Sequence, residues 1–259
     1  MRSLVLGVVM VVLGFATISH ADAPKAPKAP KLRFEFIGNI AITGDELRAA
    51  IPAPYDDTGA FNQEMLERDL LLVSAYYWDR GHAQVKVREP KITKTAIVVE
   101  VEEGPTFTIE HILVTGDPTM AQRAKHLKAM RTRKGQLFSR TKIADDRERL
   151  SRYYEDLGYA FVNVLPLTKV DLARRTITLT FEVTVGKRTT VERVGFWNTS
   201  KLPDSAFEPA LTIRPGERYS DTRLEAVKAA LAAMGVEVVV STKRGSTDTQ
   251  IIITYEVSD

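Results

Sequence analysis

The chain has 259 residues, of which 44% are hydrophobic and 27% charged, enough apolar material for one large domain or several small ones. Its 36 basic and 33 acidic side chains leave a formal charge of +3, a mixed surface that argues against a nucleic-acid-binding arm. There is no cysteine, which excludes a disulfide framework, a thiolate metal site and a lipoprotein attachment, so stability has to come from packing.

The N-terminus has a secretory pattern: Arg2, an apolar run from Leu4 to Ile18, then Ser19, His20 and Ala21 ahead of Asp22. Residues 1–21 are therefore read as a signal peptide. The run is shorter than the ~20 residues of a membrane span, which favours cleavage over a retained anchor. Residues 22–31 repeat Ala-Pro-Lys, and such prolines predict an extended polyproline II tether. A solvated spacer is the favoured reading of its lysines over contact with anionic lipid headgroups or the cell wall.

Beyond Lys31 the sequence repeats. Gly81, Gly158 and Gly235 are spaced by 77 residues (158 − 81 and 235 − 158), and each follows a helical pattern opened by an aromatic, Phe61, Phe138 and Tyr219. In the first repeat Met65, Leu66, Asp69, Leu70, Val73 and Tyr77 recur at three- and four-residue spacing, the stripe of an amphipathic helix. Glycine just past a helix is the usual left-handed cap. The third helix is predicted to be about one turn shorter, because its aromatic lies nearer its glycine.

After the glycines the period becomes two. Ala83, Val85 and Val87, then Ala160, Val162 and Val164, predict half-buried strands. Second strands are predicted at 96–102, 176–183 and 250–257, making three hairpins. Each repeat also opens with a strand, 32–37, 106–114 and 190–197, followed by a shorter helix, clearest from Gly44 onward. The fold class is α+β: a tandem array of three β-α-α-β-β modules, at 32–104, 105–187 and 188–259. Each is a three-stranded mixed sheet with two helices on one face and its first strand parallel to its last.

No spacing of residues predicts chemistry. The histidines, His20, His82, His111 and His126, are scattered and read as surface or turn residues; Asp145-Asp146 and Glu102-Glu103 read as solvated or capping. Arg147, Arg149 and Arg152 alternate with Glu148 and Glu155, a solvated helix face. Trp78 and Trp197 are expected in core or rim packing, and the pairs Tyr76-Tyr77 and Tyr153-Tyr154 in sealing module cores. No catalytic residue, metal ligand, cofactor or nucleic-acid partner is expected.

Several segments resemble the POTRA domains of BamA-type outer-membrane assembly factors. They are Phe36-Ile37-Gly38-Asn39, Thr43-Gly44-Asp45-Glu46-Leu47, Tyr76 to Gly81 and Glu103-Gly104-Pro105, and in the second repeat Val114 to Asp117, Gly135 to Ser139 and Tyr153 to Ala160. The third repeat departs, with Ala230-Leu231 in place of the tyrosine pair, but keeps Arg214 to Ser220. The resemblance implies a non-catalytic periplasmic scaffold that binds proteins in outer-membrane assembly or secretion. Its expected partners are a β-barrel protein or unfolded outer-membrane clients, with peripheral membrane association open. An envelope or division scaffold held by an uncleaved N-terminal segment, as in FtsQ-type proteins, is the alternative.

The resemblance also implies where partners bind: along the first hairpin strand of a module, whose unpaired backbone groups accept another strand. Lys86 and Arg88 guard the first such edge. The predicted binding edges are therefore Phe161, Val162, Asn163, Val164 and Leu165 in the second module, and Val236, Val238, Val239 and Val240 in the third. The alternation after Gly235 is out of step with the other two, leaving the facing of that strand open by one residue.

Overall fold

The structure, a computed structural model, describes residues 32–52, 54–55, 60–116 and 130–259. The expected signal peptide and tether, and the segment 117–129 where the second module's shorter helix is expected, lie outside these residues. Three sheets follow one another along the chain. The first contains β1 (Arg33–Ile37), β2 (Lys86–Val87), β3 (Lys91–Ile92) and β4 (Ala96–Glu102), with α1 (Gly44–Ala50) and α2 (Gln63–Trp78). The second contains β5 (Thr108–Thr115), β6 (Asn163–Asp171) and β7 (Thr176–Thr184), with α3 (Arg140–Asp156). The third contains β8 (Thr190–Asn198), β9 (Glu237–Arg244) and β10 (Gln250–Ser258), with α4 (Asp204–Phe207) and α5 (Asp221–Ala232).

In every module the last strand is central, parallel to the opening strand and antiparallel to the hairpin strand. This is the mixed α+β arrangement expected from the sequence. Each long helix starts on a side-chain cap: Asn62 accepts from the Met65 amide, Ser139 from that of Lys142 and Ser220 from that of Arg223. Each ends at a glycine in the left-handed region, with φ of +95° at Gly81 and Gly158 and +82° at Gly235. Between these stops one stripe is buried, Leu66, Asp69, Val73 and Tyr77 in α2, repeated as Ile143, Asp146, Leu150 and Tyr154 in α3. In the shorter α5 the stripe is Leu224, Val227 and Leu231. It meets the inward residues of the central strand, Ile97, Val99 and Val101 in the first module and Ile251, Ile253, Tyr255 and Val257 in the third. Each aliphatic side chain among these contributes about 1.5–3 kcal/mol by leaving water.

Three expectations are corrected. The chain after Gly81 and Gly158 is a turn before it is a strand: Val85 donates to the His82 carbonyl and Val162 to that of Tyr159, so Ala83, Val85, Ala160 and Val162 lie outside the ladder. The first hairpin strand is then broken into two pairs of residues on either side of Arg88-Glu89-Pro90. Trp197 is 69% exposed on the uncovered face of the third sheet, not packed in a core or rim. Tyr77 and Tyr154 do seal module cores, each with at most 1% of its surface exposed.

Candidate partner-binding edge and module joints

Each sheet has two edges, and in the second and third modules the opening strand is partly covered. The segment before α3 bonds to the start of β5, with Ile109 donating to the Gln136 carbonyl and Phe138 to that of Phe107; before α5, Val191 donates to the Glu217 carbonyl and Tyr219 to that of Thr189. The hairpin strand is the open edge. In the first module it is broken and charged, with Lys86 3.5 Å from Glu102 and Arg88 3.6 Å from Glu100. In the second, β6 is nine residues long but carries Pro166 opposite Phe181. Proline sits in a sheet only where its missing N–H faces away from the partner strand, so the outer rim of β6 lacks a donor there. In the third, β9 runs for eight residues without proline and exposes 62% of Val239.

The predicted site residues divide accordingly. Phe161 and Val162 precede β6, and Phe161 is turned away from the edge: it packs against the third module's core, with the Arg244 guanidinium 4.0 Å over its ring. Val162 and Val164 pack into their own module's core, while Asn163 and Leu165 face solvent. Val236 precedes β9, and Val236, Val238 and Val240 are half-buried against the third core, leaving Val239 outward. The open question of facing has a simple cause. Five residues separate Gly81 from Lys86 and Gly158 from Asn163 but two separate Gly235 from Glu237, and an odd difference of three reverses a period of two. On the uncovered face of the third sheet, Trp197, Glu256 and Val239 form one row across the three strands.

The modules meet through a repeated clamp. Asp79, just past α2, accepts from the Ser139 hydroxyl at 2.9 Å, the Thr141 amide at 2.9 Å and the Thr141 hydroxyl at 2.6 Å. Asp156, at the end of α3, accepts from the Ser220 hydroxyl at 2.8 Å, the Thr222 amide at 2.8 Å and the Thr222 hydroxyl at 2.6 Å. A carboxylate at the end of one long helix thus holds the start of the next, where the amides are unpaired and the helix dipole favours negative charge. Burial pushes both carboxyls up, but the hydrogen bonds from Thr141 and Ser139, and from Thr222 and Ser220, outweigh it and hold both below the usual carboxylate range. Backbone bonds repeat as well: Phe107 donates to the Gly81 carbonyl at 2.8 Å and Thr189 to that of Gly158 at 2.7 Å. The sequence held a signal for this, an aspartate two residues before Gly81 and Gly158 paired with Ser-x-Thr at the following helix. Its meaning depends on neighbours 60 to 66 residues away, which no local pattern relates.

Among the described residues no three His, Asp or Glu side chains are grouped to hold a metal ion, and no helix is long and apolar enough to cross a membrane. His82 is buried in the turn after Gly81, its Nδ1 3.2 Å and 3.1 Å from the Glu103 and Gly104 carbonyls. Asp146 is buried and accepts from the Arg131 and Thr132 amides, a capping role.

Comparison with known proteins agrees with this geometry. The chain is 27% identical over 216 residues to the outer membrane protein assembly factor BamA of Neisseria meningitidis serogroup B, covering 74% of this chain and 27% of that protein. It is 27% identical over 177 residues to BamA of Nitratidesulfovibrio vulgaris, covering 66% of this chain and 22% of the relative. The chain therefore spans about a quarter of the length of these relatives. The crystal structure of Haemophilus influenzae BamA POTRA3-5 superposes with a TM-score of 0.73 at 22% identity, covering 89% of this chain and 96% of that one, a likeness of fold. The family described as POTRA, surface antigen variable number repeat, matches at 33–104, 107–186 and 189–259, one match on each sheet-and-helix unit, and the chain belongs to that family as a tandem array of three POTRA domains.

Proposed function

We propose that this array is a non-catalytic periplasmic scaffold in outer-membrane protein assembly, and that it takes an extended segment of a partner protein as a further strand on β9. The partner is an unfolded outer-membrane client or a β-barrel protein. The observation that carries the reading is the inequality of the three open edges: the first is interrupted at Pro90, the second carries Pro166, and β9 alone offers eight proline-free residues with an exposed valine third from its start. Backbone pairing supplies affinity with little demand on the incoming sequence, which suits a protein that handles many clients. Kinship with proteins named as outer membrane protein assembly factors supports the cellular setting.

Consecutive residues of an antiparallel edge direct their N–H groups alternately to the neighbouring strand and outward. Val239→Pro and Val240→Pro, made in parallel, therefore place one proline against β10 and one on the open rim. The variant whose Tm is unchanged is the probe. Photocrosslinking from Ser241, exposed on the same face of β9 as Val239, should capture outer-membrane β-barrel proteins in cells carrying the parent sequence and lose them in the probe variant; equal capture by both would sink the edge reading. Capture of division or cell-wall proteins instead would move the array to an envelope scaffold.

A further inference from the structure

The two joints share a clamp but differ beside it. In the first joint Trp78 ends α2, and the Arg140 guanidinium lies 4.5 Å over its ring. In the second, 77 residues on (155 − 78), Glu155 takes the place of Trp78, and Asp221, which follows Ser220 as Arg140 follows Ser139, takes the place of the arginine. A cation on an aromatic face has been exchanged for two carboxylates, and Asp156 of the clamp adds a third. Facing Glu155 are Glu148, Arg152 and Asp156 on its own helix, and Asp221 with the Tyr219 hydroxyl from the third module. Arg152 is the near cation, but its Nε donates to Asp221 at 3.0 Å and its other nitrogen lies 4.0 Å from Glu148, so its charge is shared. Burial, then Asp221 and Glu148, push the Glu155 carboxyl up to about 7 against the opposing pull of Arg152.

We propose that the joint between the second and third modules is a proton-operated hinge, closed while Glu155 is protonated and loosened once Glu155, Asp156 and Asp221 all carry charge. The first joint has an indole where the second has a titrating acid, so it stays closed over the same range. The hinge bears on β9, because the far end of that strand is tied to the second module through Arg244 over Phe161. Loosening separates this pair and frees the end of the edge. The inference stands apart from the reading of β9 as a client site, since the hinge is defined by the joint alone.

The absence of cysteine lets two introduced thiols be the only labelling sites in the full chain. Spin labels at Lys169→Cys and Glu208→Cys span the second joint, and labels at Lys94→Cys and Lys169→Cys span the first; all three positions are exposed and outside the joints. Electron–electron distance measurements are expected to show the second-joint distribution widening about twofold from about pH 6 to about pH 8, while the first-joint pair does not change. Glu155→Gln should keep the narrow distribution throughout, and Asp221→Asn should move the transition to lower pH and shrink it, because the negative charge that holds the proton on Glu155 is gone and Arg152 is released from it. A width independent of pH in the parent chain, equal broadening at both joints, or a Glu155→Gln variant that titrates like the parent would each overturn the hinge.

Discussion

Replacing Asp79 by alanine tests the clamp at the joint where no titrating acid stands beside it. The side chain accepts three hydrogen bonds from the second module, at 2.9, 2.9 and 2.6 Å. A bond to a charged group contributes about 1.5–3 kcal/mol when shielded, but Asp79 is half-buried and Thr141 exposed, so water replaces much of each. Ser139 also keeps its own bond to the Lys142 amide at 3.2 Å, and α3 stays capped. The expected loss is about 2 kcal/mol. Urea unfolding of the whole chain reads it through the two tryptophans, Trp78 at the joint and Trp197 on the third module. Because the hydrogen bonds lower the Asp79 pKa, the contribution is complete above the ordinary value of 3.8 and is lost as pH falls through the lowered one, so variant and parent converge in acid. A double-mutant cycle with Thr141→Ala should give a coupling of about 1 kcal/mol; independent sites add to within about 0.3–0.5 kcal/mol, and a coupling that small would refute the clamp.

Other substitutions probe the modules singly. Asp146→Ala strands the Arg131 and Thr132 amides in the second core and should cost about 2–4 kcal/mol, seen as a lower Tm. Asp69 occupies the same helical position in the first module, but its two buried oxygens accept no hydrogen bond and burial raises its pKa despite Arg68 at 3.5 Å. The folded chain then holds this proton to higher pH than the unfolded chain, so stability falls as pH rises above 3.8; Asp69→Asn should raise Tm at neutral pH and change nothing in acid, and a lower Tm at neutral pH would refute this. Gly158→Ala puts a Cβ 2.8 Å from the Arg218 Cγ at a φ of +95°, and should cost about 1–2 kcal/mol by thermal unfolding.

Much of the fold is legible in the sequence, because its signals are local and repeated. Gly81, Gly158 and Gly235 mark three helix ends, and the stripe ending at Tyr77 or Tyr154 marks the buried face without reference to anything distant. The candidate edge is legible only in part. Alternation at Ala160, Val162 and Val164 shows which side chains seek burial but not whose core receives them, and Phe161, out of step with them, is taken up by the next module. Nor does alternation show where pairing begins: the turn bonds at Val85 and Val162 delay the strand, and Pro90 and Pro166 alter edges whose apolar pattern looks continuous. The facing of the third strand stayed open for a different reason, since a three-residue shortening of the turn reverses the phase of its valines. Trp197 shows the limit of composition as a guide, because an indole on an uncovered sheet face has the same sequence surroundings as one in a core.

The two prolines that interrupt the open edges also bear on how such a chain folds. Neighbouring modules of one fold offer one another strands of like pattern, and in tandem arrays exchange of equivalent strands between modules is a characteristic way to misassemble. Pro166 removes a rim donor from β6 and the break at Pro90 divides its counterpart, so neither accepts a sister module's strand as readily as β9 does. The one uninterrupted edge lies in the third module, which is synthesised after the other two, when they have already had the opportunity to pair their own strands.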